Sequence, residues 1–380
     1  MDPRMTTVPP MTWPKMVKRH DRDGDVNEVR GPTPCDVADA GKAGKGNPRS
    51  MTVRIAILDD YQSVALRMAD WSMLPEGVEI ESFTAGIDEE EALVERLRTF
   101  QVLVSMRERT RLPVSALERL PELRLIAATG ARQANIDVEA ATRLGIFIST
   151  TGSPGGSTSE LTWALIFAIT RRVPQEDAAM RTGRWQSTMG VDLAGKTLGL
   201  MGLGRVGAGV ARAAEAFRVE LLAWSRNLTA ERAREMGATA VGKNELFARS
   251  DILSVHVPLN DGTRGLVGAL ELGLMKQTSY LINTSRGPIV EETALVEALR
   301  GNWIAGAALD VFDREPLPAG HPLTGLENVV LTPHLGYVTE ENYRVFYGES
   351  LENIRAYLDT GLPTRLLNPE AIGRRPPATV

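Results

Sequence analysis

Gly199-Leu200-Met201-Gly202-Leu203-Gly204-Arg205-Val206-Gly207-Ala208-Gly209 follows directly on a short apolar run, 197–201, and opens a stretch of helical spacing over 210–217. The spacing Gly202-x-Gly204-x-x-Gly207 in a strand–turn–helix setting predicts a dinucleotide fingerprint. The first glycine permits the tight turn, the second lets the backbone approach a pyrophosphate, and the third allows helix and strand to pack closely. A plain glycine-rich turn is the competing reading. Around it, strand-length apolar runs recur at 220–225, 252–257, 280–284, 305–311 and 329–332, each followed by turn or helix signals. That repetition predicts a doubly wound parallel sheet.

A second series precedes the first. Apolar runs at 55–58, 78–83, 102–106, 123–128 and 146–148 alternate with helical spacing at 89–97, 114–120 and 138–144. A long apolar helix is expected over 157–172, with Ser157 and Glu160 at the spacing of a capping box. Residues 173–190 read as a polar connection carrying Trp185, and 340–360 as a closing helix. Two doubly wound α/β domains account for this order, with Gly152, Gly155 and Gly156 as a hinge or a simple loop between them.

Composition narrows the partners. Hydrophobic residues are 43% and charged residues 24% of the 380, and the net charge is −5. Neither a nucleic-acid partner nor a membrane is expected, since the longest apolar stretch, 161–169, is about half of the ~20 residues a crossing needs. One cysteine, Cys35, leaves no internal disulfide and no cysteine-rich metal site. Residues 1–50 hold seven Pro and five Gly but no Leu, Ile or Phe, and read as a disordered extension with no secretory signal. Translation from Met51 is an expectation that the intact mass of natively expressed protein tests. A cytoplasmic protein is expected.

Three later strand ends carry polar residues: Asn283-Thr284-Ser285-Arg286-Gly287, then Asp310-Val311-Phe312-Asp313-Arg314-Glu315-Pro316, then Thr332-Pro333-His334-Leu335-Gly336. In a parallel sheet the carboxyl ends of the strands line the ligand crevice, so Arg286, Glu315 and His334 are expected to converge there. Of the other histidines, His256 sits inside an apolar strand, His321 in a loop before a proline and His20 in the extension.

Together with the glycine turn, these stretches resemble the D-isomer-specific 2-hydroxyacid dehydrogenase family over about residues 51–368. The resemblance implies a Rossmann cofactor domain, 156–339, inserted in a flavodoxin-like substrate domain, 51–155 completed by 340–368, and a homodimer with its interface on the cofactor domain. It implies that His334 is the acid–base, that Glu315 hydrogen-bonds it and favours its protonated form, and that Arg286 clamps the substrate carboxylate. Gly202, Gly204, Arg205, Val206, Gly207, Val257, Pro258 and Thr284 are the implied cofactor contacts, with Asp310 near the nicotinamide carboxamide. Met106, Arg107, Gly130 and Ala131 are the implied substrate contacts. Two departures stand out: Ser157-Thr158-Ser159-Glu160 replaces a common Val-Ala-Glu-His, and Tyr337 follows the His334 loop where a small residue is usual.

A NAD-type site usually has an acid about 20 residues past the glycines, at the end of the next strand. Here that strand ends in Ser225-Arg226-Asn227. Arginine suits a 2′-phosphate, so NADP(H) is the expected cofactor and NAD(H) the alternative; a surface arginine with no such role is the competing reading. The expected reaction is reduction of a small 2-oxo acid, glyoxylate or hydroxypyruvate, to the D-hydroxy acid. A dinucleotide-sensing binding protein of the corepressor type and a short 3-phosphoglycerate dehydrogenase are the alternatives.

Overall fold

A computed structural model describes residues 52–374. The expectations for residues 1–50 and for a start at Met51 lie outside the described residues. The first sheet is built from β1 (Val53–Ile57), β2 (Val78–Ser82), β3 (Val102–Ser105), β4 (Leu125–Ala128) and β5 (Phe147–Ser149), all parallel, in the order β2-β1-β3-β4-β5. Successive side chains of a strand point to opposite faces. Ala56, Leu103 and Ile126 therefore join one layer, with Leu93, Leu97, Leu117 and Ala140 from the helices that follow these strands. Ile55, Ile57, Val102, Val104, Leu125 and Ala127 face the other way.

That second face is covered from the far end of the chain. The helix Glu340–Thr360 buries Tyr343, Phe346, Tyr347, Leu351 and Ile354 against it. The spacing is that of one helical stripe, and each fully buried large side chain is worth about 1.5–3 kcal/mol. Thr339 caps the helix start by accepting from the Asn342 N–H at 3.3 Å, and Gly361 ends it at φ 83°. A bridge between Ser149 and Leu366 adds the following segment to the edge of the same sheet.

The second sheet comprises β6 (Thr197–Met201), β7 (Glu220–Trp224), β8 (Thr239–Ala240), β9 (Ile252–Val255), β10 (Tyr280–Asn283), β11 (Gly306–Leu309) and β12 (Val329–Leu331). It is parallel throughout, in the order β12-β11-β10-β9-β6-β7-β8. The order reverses between β6 and β9, the place where such sheets bind dinucleotides. The helices Ser157–Thr170 and Arg205–Ala214 pack on one face through Trp163, Ile166, Ile169 and Val210. Phe247, Leu272, Leu295 and Leu299 cover the other. Among the described residues, no helix is long and apolar enough to cross a membrane.

Two local expectations are corrected, and one short strand is added. Ser157 and Glu160 form no capping box, because the helix starts after Gly156 (φ 94°), which makes Ser157 its first residue. The Ser157 and Thr158 hydroxyls instead donate to the Gly336 carbonyl at 3.0 and 2.8 Å, joining the helix to the His334 loop. The polar stretch after 172 contains a helix, Val173–Arg181, started by Pro174 in its first turn. The two-residue strand β8 carried no apolar run to reveal it.

Candidate active site

The glycine turn sits between β6 and its helix. Gly202 has φ 105° and donates its N–H to the Trp224 carbonyl at 2.8 Å, which fixes the turn beside the end of β7. A Cβ on Gly202 would lie 2.8 Å from the His256 carbonyl carbon, and one on Gly207 would lie 2.1 Å from the Gly202 oxygen. Nothing stands within 4 Å of the corresponding position at Gly204. No side chain caps the helix that begins at Arg205, so its first N–H groups face an open approach. Val206 is held from behind, its carbonyl accepting from the Ser159 hydroxyl at 3.0 Å, while Arg205 is exposed.

Ser225 and Arg226 follow Trp224 directly. Arg226 is exposed and reaches over the end of the sheet, its Nη2 donating to the Gly262 carbonyl at 3.2 Å. Val257 is buried, and its carbonyl accepts from the Ser285 hydroxyl at 2.6 Å; Pro258 is exposed beside it. Thr284 is buried against the Thr162 hydroxyl at 2.9 Å.

His334 and Glu315 come together at the ends of β12 and β11. His334 Nδ1 lies 2.5 Å from Glu315 Oε2, while Glu315 Oε1 accepts from the Phe312 N–H at 3.0 Å. Burial works to raise the Glu315 pKa, but the hydrogen bond and charge of His334, the Phe312 N–H and Arg109 outweigh it and hold the carboxyl below its ordinary value. With Nδ1 engaged, Nε2 is the nitrogen left to exchange a proton. His334 itself has φ 55°, a left-handed backbone uncommon outside glycine.

Asp310 holds the loop around it. Oδ1 accepts from the Thr332 hydroxyl at 2.6 Å and the Leu335 N–H at 2.7 Å, and Oδ2 accepts from the Gly336 N–H at 2.9 Å. Asp310 was expected beside the nicotinamide carboxamide; the structure gives both its oxygens to the His334 loop. Burial raises its pKa despite these bonds.

The substrate-side expectations change most. Met106 is fully buried in the first sheet's core, its sulfur 3.5 Å from the Thr129 hydroxyl, so its side chain does not line the crevice. The Gly130 N–H already donates to the Thr151 hydroxyl at 2.8 Å, while Ala131 is exposed on the turn after it. Arg107 lies against Gly130, where any Cβ would be 1.5 Å from its Nη1, and its own N–H donates to the Thr129 hydroxyl at 2.8 Å. Burial, and then the charge of Arg286, push its pKa down against the pull of Glu108.

Two residues the sequence reading passed over complete the cluster. Glu108 pairs with Arg286 Nη2, while Arg286 Nη1 donates to the Ser285 carbonyl at 2.7 Å. Arg109 reaches Glu315, the His334 carbonyl and the Tyr337 hydroxyl. The signal was present: Arg107-Glu108-Arg109 is a run of charges immediately past the buried β3. His256 takes no part in the pair; its Nε2 meets the Ser254 hydroxyl at 2.9 Å.

A carboxylate-paired cation and a carboxylate-backed imidazole thus stand past the same carboxyl edge of the sheet as the glycine turn. The family model for the NAD-binding domain of D-isomer-specific 2-hydroxyacid dehydrogenases matches residues 163–336. A glyoxylate reductase of Aeropyrum pernix is 44% identical over 279 residues, covering 70% of this chain and 83% of that one. The chain belongs to the D-isomer-specific 2-hydroxyacid dehydrogenase family. A D-3-phosphoglycerate dehydrogenase of Archaeoglobus fulgidus is 37% identical over 301 residues, which are 77% of this chain but only 55% of that longer protein. Among solved structures, a phosphoglycerate oxidoreductase of Vibrio cholerae superimposes with a TM-score of 0.77 at 37% identity, covering 81% of this chain and 99% of that one. The chain is therefore a nicotinamide-dependent oxidoreductase of 2-hydroxy acids and their 2-oxo counterparts. The glycine turn fits that cofactor, since its one open position is where a pyrophosphate must come close.

Proposed function

We propose that this dehydrogenase reduces a glyoxylate- or hydroxypyruvate-sized 2-oxo acid to the D-2-hydroxy acid, with NADPH preferred to NADH. The observation that carries the reading is the His334–Glu315 pair at 2.5 Å, with Arg286 past the end of the neighbouring strand β10. His334 gives the Nε2 proton to the substrate carbonyl oxygen, and Glu315 stays anionic to stabilise the imidazolium beforehand. Arg286 releases Glu108 and takes the substrate carboxylate, which orients the carbonyl toward His334. When bound, the nicotinamide supplies the hydride. The second sheet and its helices act as the cofactor domain, and the first sheet with the closing helix as the substrate domain. Arg226 reads the 2′-phosphate, because no acid stands at the end of β7 to take the ribose hydroxyls. We further propose a cytoplasmic homodimer, for which light scattering should give twice the chain mass.

The test is a substrate panel of glyoxylate, hydroxypyruvate, pyruvate and 3-phosphohydroxypyruvate, followed by loss of NADPH absorbance. Fastest turnover with one of the first two supports the proposal. Preference for the phosphorylated acid moves the chain to the phosphoglycerate dehydrogenases, and cofactor binding with no turnover of any acid leaves a dinucleotide sensor.

A further inference from the structure

Arg109 stands on the loop that follows β3 of the first sheet, yet all its side-chain hydrogen bonds reach the loop region past β11 and β12 of the second. Nη1 is 3.3 Å from Glu315 Oε2, the same oxygen that meets His334 Nδ1. Nη2 donates to the His334 carbonyl at 3.0 Å, and Nε donates to the Tyr337 hydroxyl at 2.8 Å. Its side chain is 14% exposed, against 18% for His334 and 22% for Glu315, so little solvent screens the three. We propose that Arg109 is a positioning residue for the acid–base pair, holding the strained His334 backbone in place and moderating the grip of Glu315 on the His334 proton. This inference rests on the acid–base roles proposed above.

Two effects follow from one guanidinium. The first is geometric: the left-handed His334 is pinned through its carbonyl from the first sheet, as Asp310 pins the rest of its loop from the second. The second is electrostatic. A cation beside the shared Glu315 oxygen weakens that carboxylate's preference for an imidazolium, so the pair releases its proton to the substrate more readily. The other charged and titratable groups facing the pair and Arg109 are Asp310 behind the loop, Tyr337 on it, Arg107 beside Tyr337, Asp59 and Tyr61 at the end of β1, and Tyr343 on the closing helix. Burial pushes the phenols of Tyr61, Tyr337 and Tyr343 upward, which keeps them neutral through the working range. Asp59 accepts from the Thr110 hydroxyl at 2.8 Å, and the charge of Arg109 works to lower its pKa against burial. Arg109 is the one of these groups bonded directly to Glu315.

Two substitutions separate the effects. Arg109→Met removes charge and bonds together. It should lower kcat about 10–100-fold, the cost of a small misplacement of a catalytic group, with NADPH binding by fluorescence titration unchanged. The alkaline limb of the reductive kcat/KM profile should move up by about one pH unit, since the pair now keeps its proton longer. Arg109→Lys keeps the charge but cannot bridge three acceptors, so kcat should fall while the alkaline limb stays at the wild-type position. In nitrogen-15 spectra of the histidines, which need no turnover, the His334 imidazole signal should titrate at higher pH in Arg109→Met than in wild type. Wild-type kcat and an unmoved limb in both variants would overturn the proposal, as would equal loss in both with no change of either pH response. If His334→Ala retains wild-type turnover, the acid–base reading itself fails, and the imidazole titration still reports whether Arg109 governs the pair.

Discussion

On the second sheet, the loops at the crevice are tied to one another by short bonds. Asp310 after β11 holds the Thr332, Leu335 and Gly336 positions after β12, and the Ser285 hydroxyl after β10 donates to the Val257 carbonyl after β9. The Asn283 side chain closes its own turn, accepting from the Ser285 N–H and donating to the Arg286 carbonyl, both at 3.0 Å. On the first sheet, the loop after β3 carries Arg107, Glu108 and Arg109, and the partners of Glu108 and Arg109 lie across the crevice. Short bonds between neighbouring loops of one sheet, most of them to backbone groups, fix a geometry that a ligand does not disturb. Ion pairs at an open crevice can be exchanged for a charged ligand. The contrast assigns preorganised chemistry to the second sheet's loops and ligand exchange to the Glu108–Arg286 pair, while Arg109 braces the His334 loop from the first sheet.

If the second sheet holds the chemistry, His334→Ala should have the largest effect. A positioned acid–base contributes about 10²–10⁴-fold, so kcat should fall by that factor with cofactor affinity nearly intact. Steady-state kinetics and fluorescence titration check both halves. Near-normal turnover would remove His334 from the mechanism and erase the contrast.

The floor of that same side offers a stability test. His256 packs under the glycine turn with Nδ1 buried and unpartnered, and burial pushes its pKa down from 6.5 to about 4. The unfolded chain binds this proton as pH falls through 6.5, whereas the folded protein resists until about pH 4. The histidine's contribution is therefore fully present above pH 6.5 and lost progressively between there and about pH 4, to an extent of about 3 kcal/mol. Thermal unfolding of wild type and His256→Gln at pH 7 and pH 4.5 reads it: the variant should lose less stability on acidification. An equal loss in both would mean the ring is solvated in the fold.

Much of this was legible in the sequence, and unevenly so. Parallel strands buried on both faces read as apolar runs, and the 340–360 stripe marked the closing helix, because burial leaves a periodic trace. The glycine turn and the Arg286, Glu315 and His334 stretches were visible because each sits where a strand ends. Glu108 and Arg109 were not, since their meaning lies in partners 178 and 206 residues away. The side-chain direction of Met106 was hidden for a related reason: adjacency to Arg107 in sequence says nothing about which of two neighbours a strand end turns into the core. Asp310 was matched to a cofactor contact, and only the fold shows how fully the His334 loop occupies it.

Cofactor choice tests whether the rigid side also discriminates. With Ser225 and Arg226 at the end of β7, NAD lacks a carboxylate for its ribose hydroxyls and NADP gains a guanidinium. Together these should give at least about tenfold higher kcat/KM for NADPH, or ~1.4 kcal/mol. Ser225→Asp with Arg226→Ala should reverse the preference. Equal kcat/KM for both cofactors in wild type would mean Arg226 stays with the Gly262 carbonyl and reads nothing.

The smallest effect belongs to the exchangeable side. Arg286 gives one terminal nitrogen to the Ser285 carbonyl and the other to Glu108, so Glu108 competes with an incoming carboxylate for the guanidinium. With side chains 34% and 18% exposed, such a pair is worth about 0.5–1 kcal/mol. Glu108→Gln keeps the shape and removes the competing charge. KM for the 2-oxo acid should drop about two- to fivefold with kcat unchanged, because only the ground-state competitor is lost. A rise in KM would mean that Glu108 touches the substrate rather than standing in for it. The first-sheet loop would then hold a fixed substrate contact, and ion pairing alone would no longer distinguish the two sides of the crevice.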